Sequence, residues 1–430
     1  MDRNLEDSGE RGSPLKKLKI ERKGKQEEQV DSQRSSTALS DLSNTSSEET
    51  DHVVITELLP RVRSTCMLVA EGIERVLCIT KVILRSDGLT GRGIGTNVFE
   101  VECMEEVDVE NAQRIITPEH SWKGKPLILK LSFPPVEQTK EIEFIDNART
   151  YAKQHDGEWA LRHLPLVVGY STSLNWEGNH SDHSNVQNRL KSTFGDAYKM
   201  RSFATEFAQV FYDILQIHRW LYVHPKILHR DLSMTNVMFR REGDEVYGVL
   251  NDFDLSSFCE RMDKDPTLKH GTGSKPYMAH DLLDADWDKG HFYRHDLESL
   301  FYIIPIISCH CTQPTVRASS LPFKWWFNRP DQEISDAKFR FLMIGSPRPL
   351  LQTYFNGFTP WVHHMHRIFS RGYKSRPGPY YPSDEYAAEV AMYDWDTLNR
   401  NVTYAKMMNV MGLFDEKELV TRWNGGNSSN

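Results

Sequence analysis

The sequence predicts an α+β protein with room for two lobes, its strands gathered in the first half of the chain and its long helices in the second. Three observations carry this. Short apolar runs of strand length recur up to Tyr170, and amphipathic helical stripes, one already at Ile142 to Ala152, resume at Phe203. Between and beyond them, the stretch from Ile227 to Ser257 places two carboxylates and an amide at spacings that suit phosphoryl transfer.

At 430 residues, 39% hydrophobic and 26% charged, the chain can bury a large core and still carry a polar extension. The formal charge of -8 gives no electrostatic footprint for nucleic acid. Cys66, Cys78, Cys103, Cys259, Cys309 and Cys311 show no paired spacing, which argues against a disulfide framework and for a reduced, intracellular setting, cytoplasmic or nuclear. Cys309-His310-Cys311 has no second ligand pair at zinc-like spacing and reads as buried small side chains. No signal-peptide pattern opens the chain, and its most apolar stretch, Leu300 to Cys309, is half the ~20 residues of a membrane span and contains Pro305. A soluble protein without a membrane partner is expected.

Residues 1–50 are rich in Ser, Glu, Lys, Arg and Asp and hold too few apolar residues to offset the entropy of folding, so a disordered tail is expected. Its Lys16-Lys17-Leu18-Lys19 and Arg22-Lys23-Gly24-Lys25 clusters have the look of an import signal, although charged tails are more often simply solvated. From Val53 to Leu84 the mixed apolar spacing allows a helix followed by a strand. Gly88, Gly91, Gly93 and Gly95 then precede the strand-like Val98 to Val101. A hairpin without Cβ atoms lets main-chain N–H groups approach phosphates, though hairpin turns also collect glycine for other reasons. Pro126 to Leu131 is an apolar strand carrying one lysine, and a core strand tolerates an ammonium only where it meets a charge. Lys130 is therefore the candidate phosphate-binding lysine.

The following segment to Gln154 reads as a helix with Ile142, Ile145, Ala148 and Tyr151 or Ala152 on one stripe. Glu141 and Glu143 both stand near enough in sequence to pair with Lys130; Glu143 is favoured, because Phe144-Ile145 after it would pack under the strand. Leu164 to Tyr170 is another strand. From Ser171 to Ser202 the chain is polar and shows no apolar strand. Ser202 can cap a helix whose Phe203, Phe207, Phe211 (or Val210), Ile214 and Leu221 form a buried stripe. Downstream, Gly271 to Leu283 reads as a loop closing onto a helix start, and Leu297, Leu300, Phe301 and Ile304 recur at helical spacing.

The chemistry lies in HRDLSMTN and NDFDLSS. Phosphoryl transfer needs a carboxylate to take a hydroxyl proton, and an amide plus a second carboxylate to hold Mg²⁺ against ATP phosphates. Asp231, Asn236 and Asp252 supply these in order. The bland alternative makes them a turn residue, a cap and a solvated loop carboxylate. Two ordered motifs in one loop, strand, turn and strand setting argue against it.

With HRDLSMTN, NDFDLSS, TGSKPYMAHDLL and HDLESLFY in hand, the chain resembles the protein-kinase superfamily, most closely the fungal-type protein kinase family, from about residue 60 to Met407. The resemblance implies a bilobal kinase fold: a tail over 1–50, a small β-rich N-lobe over 51–200 and a larger helical C-lobe over 201–425. It further implies ATP and Mg²⁺ as cofactors and a protein substrate bearing a Ser or Thr hydroxyl. Asp231 would be the base. Arg230 before it would pair with a phosphorylated activation loop, with Thr267 or Thr272 as the acceptor, and Ser274 would be the docking-loop hydroxyl. Asn236 and Asp252 would hold Mg²⁺. Gly91, Gly93, Gly95, Val98, Lys130 and Glu143 would serve the nucleotide, and Asp296 would brace the catalytic loop.

Four departures accompany the resemblance. The glycine spacing is one residue tighter than the usual pattern. Ser233 stands where a lysine is usual, and Asp254 replaces a glycine, which should restrict flipping of that segment. Between Tyr170 and Phe203 the strand and hinge that would pair with adenine are not recognisable. Two alternatives stay open on these grounds: a catalytically inactive kinase-fold binding module, and a small-molecule phosphotransferase.

Overall fold

The computed structural model describes residues 61–84, 96–132, 139–171, 175–176, 187–192, 195–196, 204–261, 273–344, 351–377 and 384–423. The expected tail, Gly88, Gly91, Gly93, Gly95, Ser202, Thr267 and Thr272 lie outside the described residues.

Among the described residues before Leu84, two strands stand where the spacing allowed a helix and one strand. β1 (Thr65–Ala70) pairs antiparallel with β2 (Ile73–Leu84). Glu71 and Gly72 turn between them with φ of 55° and 71°. This hand of turn follows the strand twist, and Gly72 takes its left-handed position without a steric cost.

β3 (Thr96–Asp108) and β4 (Leu127–Ser132) continue the sheet. Strand alternation puts Leu127, Leu129 and Leu131 into a core with Leu77, Ile79, Phe99 and Val101. Lys130 projects from the opposite face, directly across from Val98.

The largest difference from the sequence reading lies in the polar stretch after Tyr170. Strand β7 (Gln187–Ser192) runs antiparallel to both β4 and β5 (Val167–Ser171), with Arg189 in register with Lys130 on one side and Tyr170 on the other. QNRLKS has one apolar residue, so no alternation announces it. A strand bonded along both edges satisfies its main-chain groups whatever its side chains. The sheet order is β5-β7-β4-β3-β2-β1-β6, where β6 is Asn175–Trp176. β8 (Gly195–Asp196) then pairs with β10 (Val237–Glu242) and carries the chain toward the helical half.

Helix α1 (Glu141–Gln154) buries Phe144, Ile145, Ala148 and Ala152 in the core of the helical half. Helix α2 (Ala204–Val223) adds Phe207, Phe211, Ile214 and Leu221 to the same core, as its periodicity predicts. Then come β9 (Ile227–Leu228), the β10–β11 hairpin with β11 at Glu245–Leu250, and β12 (Ser257–Phe258), which pairs with β9. Helices α3 (His280–Leu283), α4 (Tyr293–His310), α5 (Asp331–Met343) and α6 (Thr359–Lys374) come next. α4 is buried from Tyr293 through Cys309 and continues past Pro305. Among the described residues, no helix is long and apolar enough to cross a membrane.

Candidate active site

The loop joining β9 to β10 is fixed from below by Asp296 of α4. One carboxylate oxygen, Oδ2, accepts the Arg230 N–H at 2.9 Å and lies 2.8 Å from His218 Nε2; Oδ1 lies 2.8 Å from His291 Nε2. Burial opposes the charge on Asp296, yet His291 and His218 hold its carboxyl well below the ordinary range. Arg230 itself takes φ 68°. Its guanidinium turns inward and Nη1 donates to the Leu255 carbonyl at 3.4 Å. Arg230 is therefore engaged with the segment after Phe253. His229 is kept neutral by burial, its pKa pushed down to about 4, and its Nε2 meets the Asn251 carbonyl at 3.0 Å.

Asp231 is held by two neighbours. Asn236 Nδ2 donates to its main-chain carbonyl at 2.8 Å and to Oδ2 at 3.0 Å, and the Ser274 N–H donates to Oδ1 at 3.1 Å. Burial and the nearby Asp252 carboxylate raise its pKa to about 7, against the two hydrogen bonds. Gly273, at φ 139°, makes the close approach of this second segment feasible: a Cβ there would stand 3.1 Å from Asp231 Oδ1. Ser233, in the place of the usual lysine, is buried and its Oγ lies 2.9 Å from Thr235 Oγ1.

Lys130 is the meeting point of three carboxylates. Its Nζ lies 3.3 Å from Glu141 Oε2, 2.5 Å from Asp252 Oδ1 and 2.6 Å from Asp254 Oδ2. The helix partner is thus Glu141 and not Glu143, which is exposed. Residues two apart on a helix point about 200° from each other, so only one of the two can face the strand. Glu141 is in register with Ile145, Ala148 and Ala152, which is the sequence signal that identifies it. Its Oε1 also accepts the Phe253 N–H at 3.0 Å, so the helix holds the lysine and the DFD turn together. Glu141→Ala is expected to lower stability by about 1–3 kcal/mol, the cost of leaving a buried N–H unpaired. Glu143→Ala should stay within ~0.5 kcal/mol of wild type. Denaturant midpoints for the two variants check the order, and equal losses would contradict the assignment to Glu141.

Sequence reasoning gave Asp254 only a stiffening effect; its contact with Lys130 spans too much of the chain to be read from a motif. Glu141, Asp252 and Asp254 offer oxygens that all lie within 4.8 Å of one another. Asn236 stands beside them, because its carbonyl accepts the Asn251 N–H at 2.9 Å. Carboxylates and an amide oxygen are hard donors of the kind Mg²⁺ takes, and the Lys130 ammonium suits phosphate, so the donor set fits both groups. Val98, half-buried, shares the Lys130 face of the sheet. The structure brings together Lys130, Val98, Asp231, Asn236 and Asp252. It leaves Glu143 apart, and Gly91, Gly93 and Gly95 fall outside the described residues.

An antiparallel lysine-bearing sheet, a helix glutamate on that lysine, and a helical half carrying the HRD and DFD segments constitute the protein-kinase fold. The resemblance drawn from the motifs holds as well: residues 169–308 match the family model described as fungal protein kinase. That match includes β7, Asp231, Asn236, Asp252 and Asp296. A solved structure of vaccinia related kinase 3 is similar at a TM-score of 0.45 and 12% identity, over 84% of this chain and 94% of that one. No curated protein matches the chain. The match to that family model supports protein kinase function in general terms.

Proposed function

We propose that the protein is a Mg²⁺- and ATP-dependent kinase that phosphorylates Ser or Thr hydroxyls of proteins. The observation that carries this is the convergence of Lys130, Glu141, Asp252 and Asp231, drawn from four separate segments, into one charged site with each group held by a named partner. When bound, Mg²⁺-ATP supplies the transferable phosphoryl group and the positive charge that offsets its oxygens.

The chain's own residues do the rest. Asp231 accepts the proton of the incoming hydroxyl, and its raised pKa makes it a stronger base than an ordinary aspartate. Asn236 and the Ser274 N–H fix the orientation of that carboxylate. Asn236, with its Nδ2 committed to Asp231, presents its amide oxygen to the cation, and Asp252 presents a carboxylate. Lys130 holds phosphate oxygens, and Glu141 holds Lys130. Arg230 is a positioning residue here: its contacts include the Asp296 carboxylate and the Leu255 carbonyl. The inactive binding module drew its support from an unrecognised strand and hinge; a strand, β7, stands in that stretch, while residues 193–194 and 197–203, where the hinge would fall, lie outside the described residues.

A thermal-shift titration tests the proposal. Mg²⁺-ATP at 100 times its Kd should add about 2.7 kcal/mol of stability. Asp252→Asn should remove the Mg²⁺-dependent part of that gain and leave the fold intact. Asparagine is the right replacement because Asp252 has φ 66°, a conformation asparagine tolerates. A variant with undiminished Mg²⁺ dependence would take Asp252 out of the metal site.

A further inference from the structure

Helix α5 carries an anomaly in its apolar stripe. Ile334, Lys338 and Leu342 recur at i, i+4 and i+8 and are all buried, with Lys338 at 0% exposure. Periodicity calls for an apolar residue at position 338. An ammonium in such a place is costly unless it is bonded. The partners described for its Nζ are main chain and ring faces: it donates to the carbonyls of Lys275, at 3.0 Å, and Met278, and stands 4.6 Å from the Tyr302 ring centre and 5.1 Å from that of Trp326. Burial pushes its pKa well below the usual lysine range, with Glu298 acting in the other direction.

Two further contacts from the same helix reach this segment and the residue that follows it. Ser335, one turn before Lys338, donates to the His280 carbonyl at 3.1 Å and meets His280 Nδ1 at 2.7 Å. Asp331, the first residue of α5, pairs with Lys275 at 2.6 Å. At its other end this segment delivers the Ser274 N–H to Asp231 Oδ1. The route from α5 to the base is therefore continuous: Lys338 to the carbonyls of 275 and 278, along four residues of main chain, to Asp231.

We propose that Lys338 is a positioning residue for the protein substrate: by holding the carbonyls of Lys275 and Met278 it sets segment 273–279 against Asp231 and so fixes where the hydroxyl-bearing stretch of the substrate lies. This rests on the kinase reading above. A buried charge is weak evidence of stabilisation, since an apolar residue of similar volume is commonly neutral or better in such a place. What the lysine adds over methionine is a directed grip on two carbonyls. The role is one of position and not of chemistry, because Lys338 touches neither Asp231 nor the Lys130 cluster.

The test uses the full chain with Lys338→Met, which keeps length and volume and removes the donors. The measurements are the Mg²⁺-ATP thermal shift, KM and kcat with casein as the protein substrate, and hydrogen exchange of the amides in 273–279. The expected result is an unchanged nucleotide shift, a KM for casein raised about 10-fold with a smaller change in kcat, and faster exchange in 273–279. An unchanged KM with unchanged exchange overturns the proposal. So does a variant that loses the nucleotide shift along with activity, because that pattern marks Lys338 as part of the general fold. Should Lys338→Met not fold, Lys338→Leu, which also removes the donors, carries the same comparison, and wild-type KM and exchange in it overturn the proposal. The exchange arm reads without catalysis, so failure of the kinase reading shows separately as absent turnover and absent nucleotide shift in the wild type.

Discussion

Asp231→Asn is expected to lower phosphoryl transfer to a generic protein substrate by about 10²–10⁴-fold, the usual contribution of a positioned base. The replacement is nearly isosteric. Its Oδ1 can still accept the Ser274 N–H, which now sits 3.1 Å from the carboxylate, while the new amide nitrogen faces the Asn236 Nδ2 donor in place of Oδ2 and cannot take a proton. Stability should fall by about 1 kcal/mol, the cost of that one hydrogen bond, and the Mg²⁺-ATP thermal shift should survive, since Lys130 and Asp252 are untouched. The loss should thus appear in kcat and in kcat/KM equally, with apparent ATP affinity preserved. Kinases of this kind turn over at about 1–100 s⁻¹, so a thousandfold handicap from a poor substrate remains visible over hours. Wild type and variant both at background, with no nucleotide shift in either, would refute the kinase reading.

Asp296→Ala is expected to cost about 3–5 kcal/mol of stability, the range found when one partner of a buried charged group is removed. The carboxylate is 1% exposed, and its loss strips the acceptor from the Arg230 N–H and leaves His218 and His291 facing a void. Tyr404 Oη, 2.8 Å from His218 Nδ1, would be disturbed in turn. Asp296→Asn keeps the volume and one acceptor, so it should lose less. Urea midpoints for the three proteins measure the order, and an alanine variant within ~1 kcal/mol of wild type would show that the loop holds its strained Arg230 conformation without this brace.

The site was legible in proportion to how local its determinants are. Asp231, Asn236 and Asp252 come from one loop and one hairpin, where the spacing itself places them, and the Asp296 brace comes from a helix whose periodicity is plain. Lys130 was found because a charge in an apolar strand demands an explanation. The apolar Phe144-Ile145 pair points to Glu143 as its partner, whereas the helical register of Glu141 with Ile145 and Ala148 is the signal the fold follows. β7 was missed for a different reason. Its six residues are specified by two neighbouring strand edges and hardly by their own side chains, so a single-sequence pattern has little to report. The β1–β2 turn was also missed, although Glu71-Gly72 has the local chemistry of a hairpin. Contacts such as Asp254 with Lys130 or Lys338 with the Met278 carbonyl join segments that only the folded chain brings together.

The placement of β7 has a consequence for how the protein is made. It is the last strand of its sheet in sequence and yet lies inside it, between β4 and β5. While the chain emerges from the ribosome, β4 has a bare edge that nothing already synthesised is built to cover, and it stays bare until residues 187–192 emerge. β5 waits in the same condition. A slot one strand wide, lined by unpaired N–H and C=O groups, accepts any extended peptide that reaches it first. Closing it late means paying loop entropy before the reward, which slows the step and prolongs exposure. A chain stopped short of Gln187 leaves the facing edges of β4 and β5 unpaired, the kind of edge that promotes aggregation.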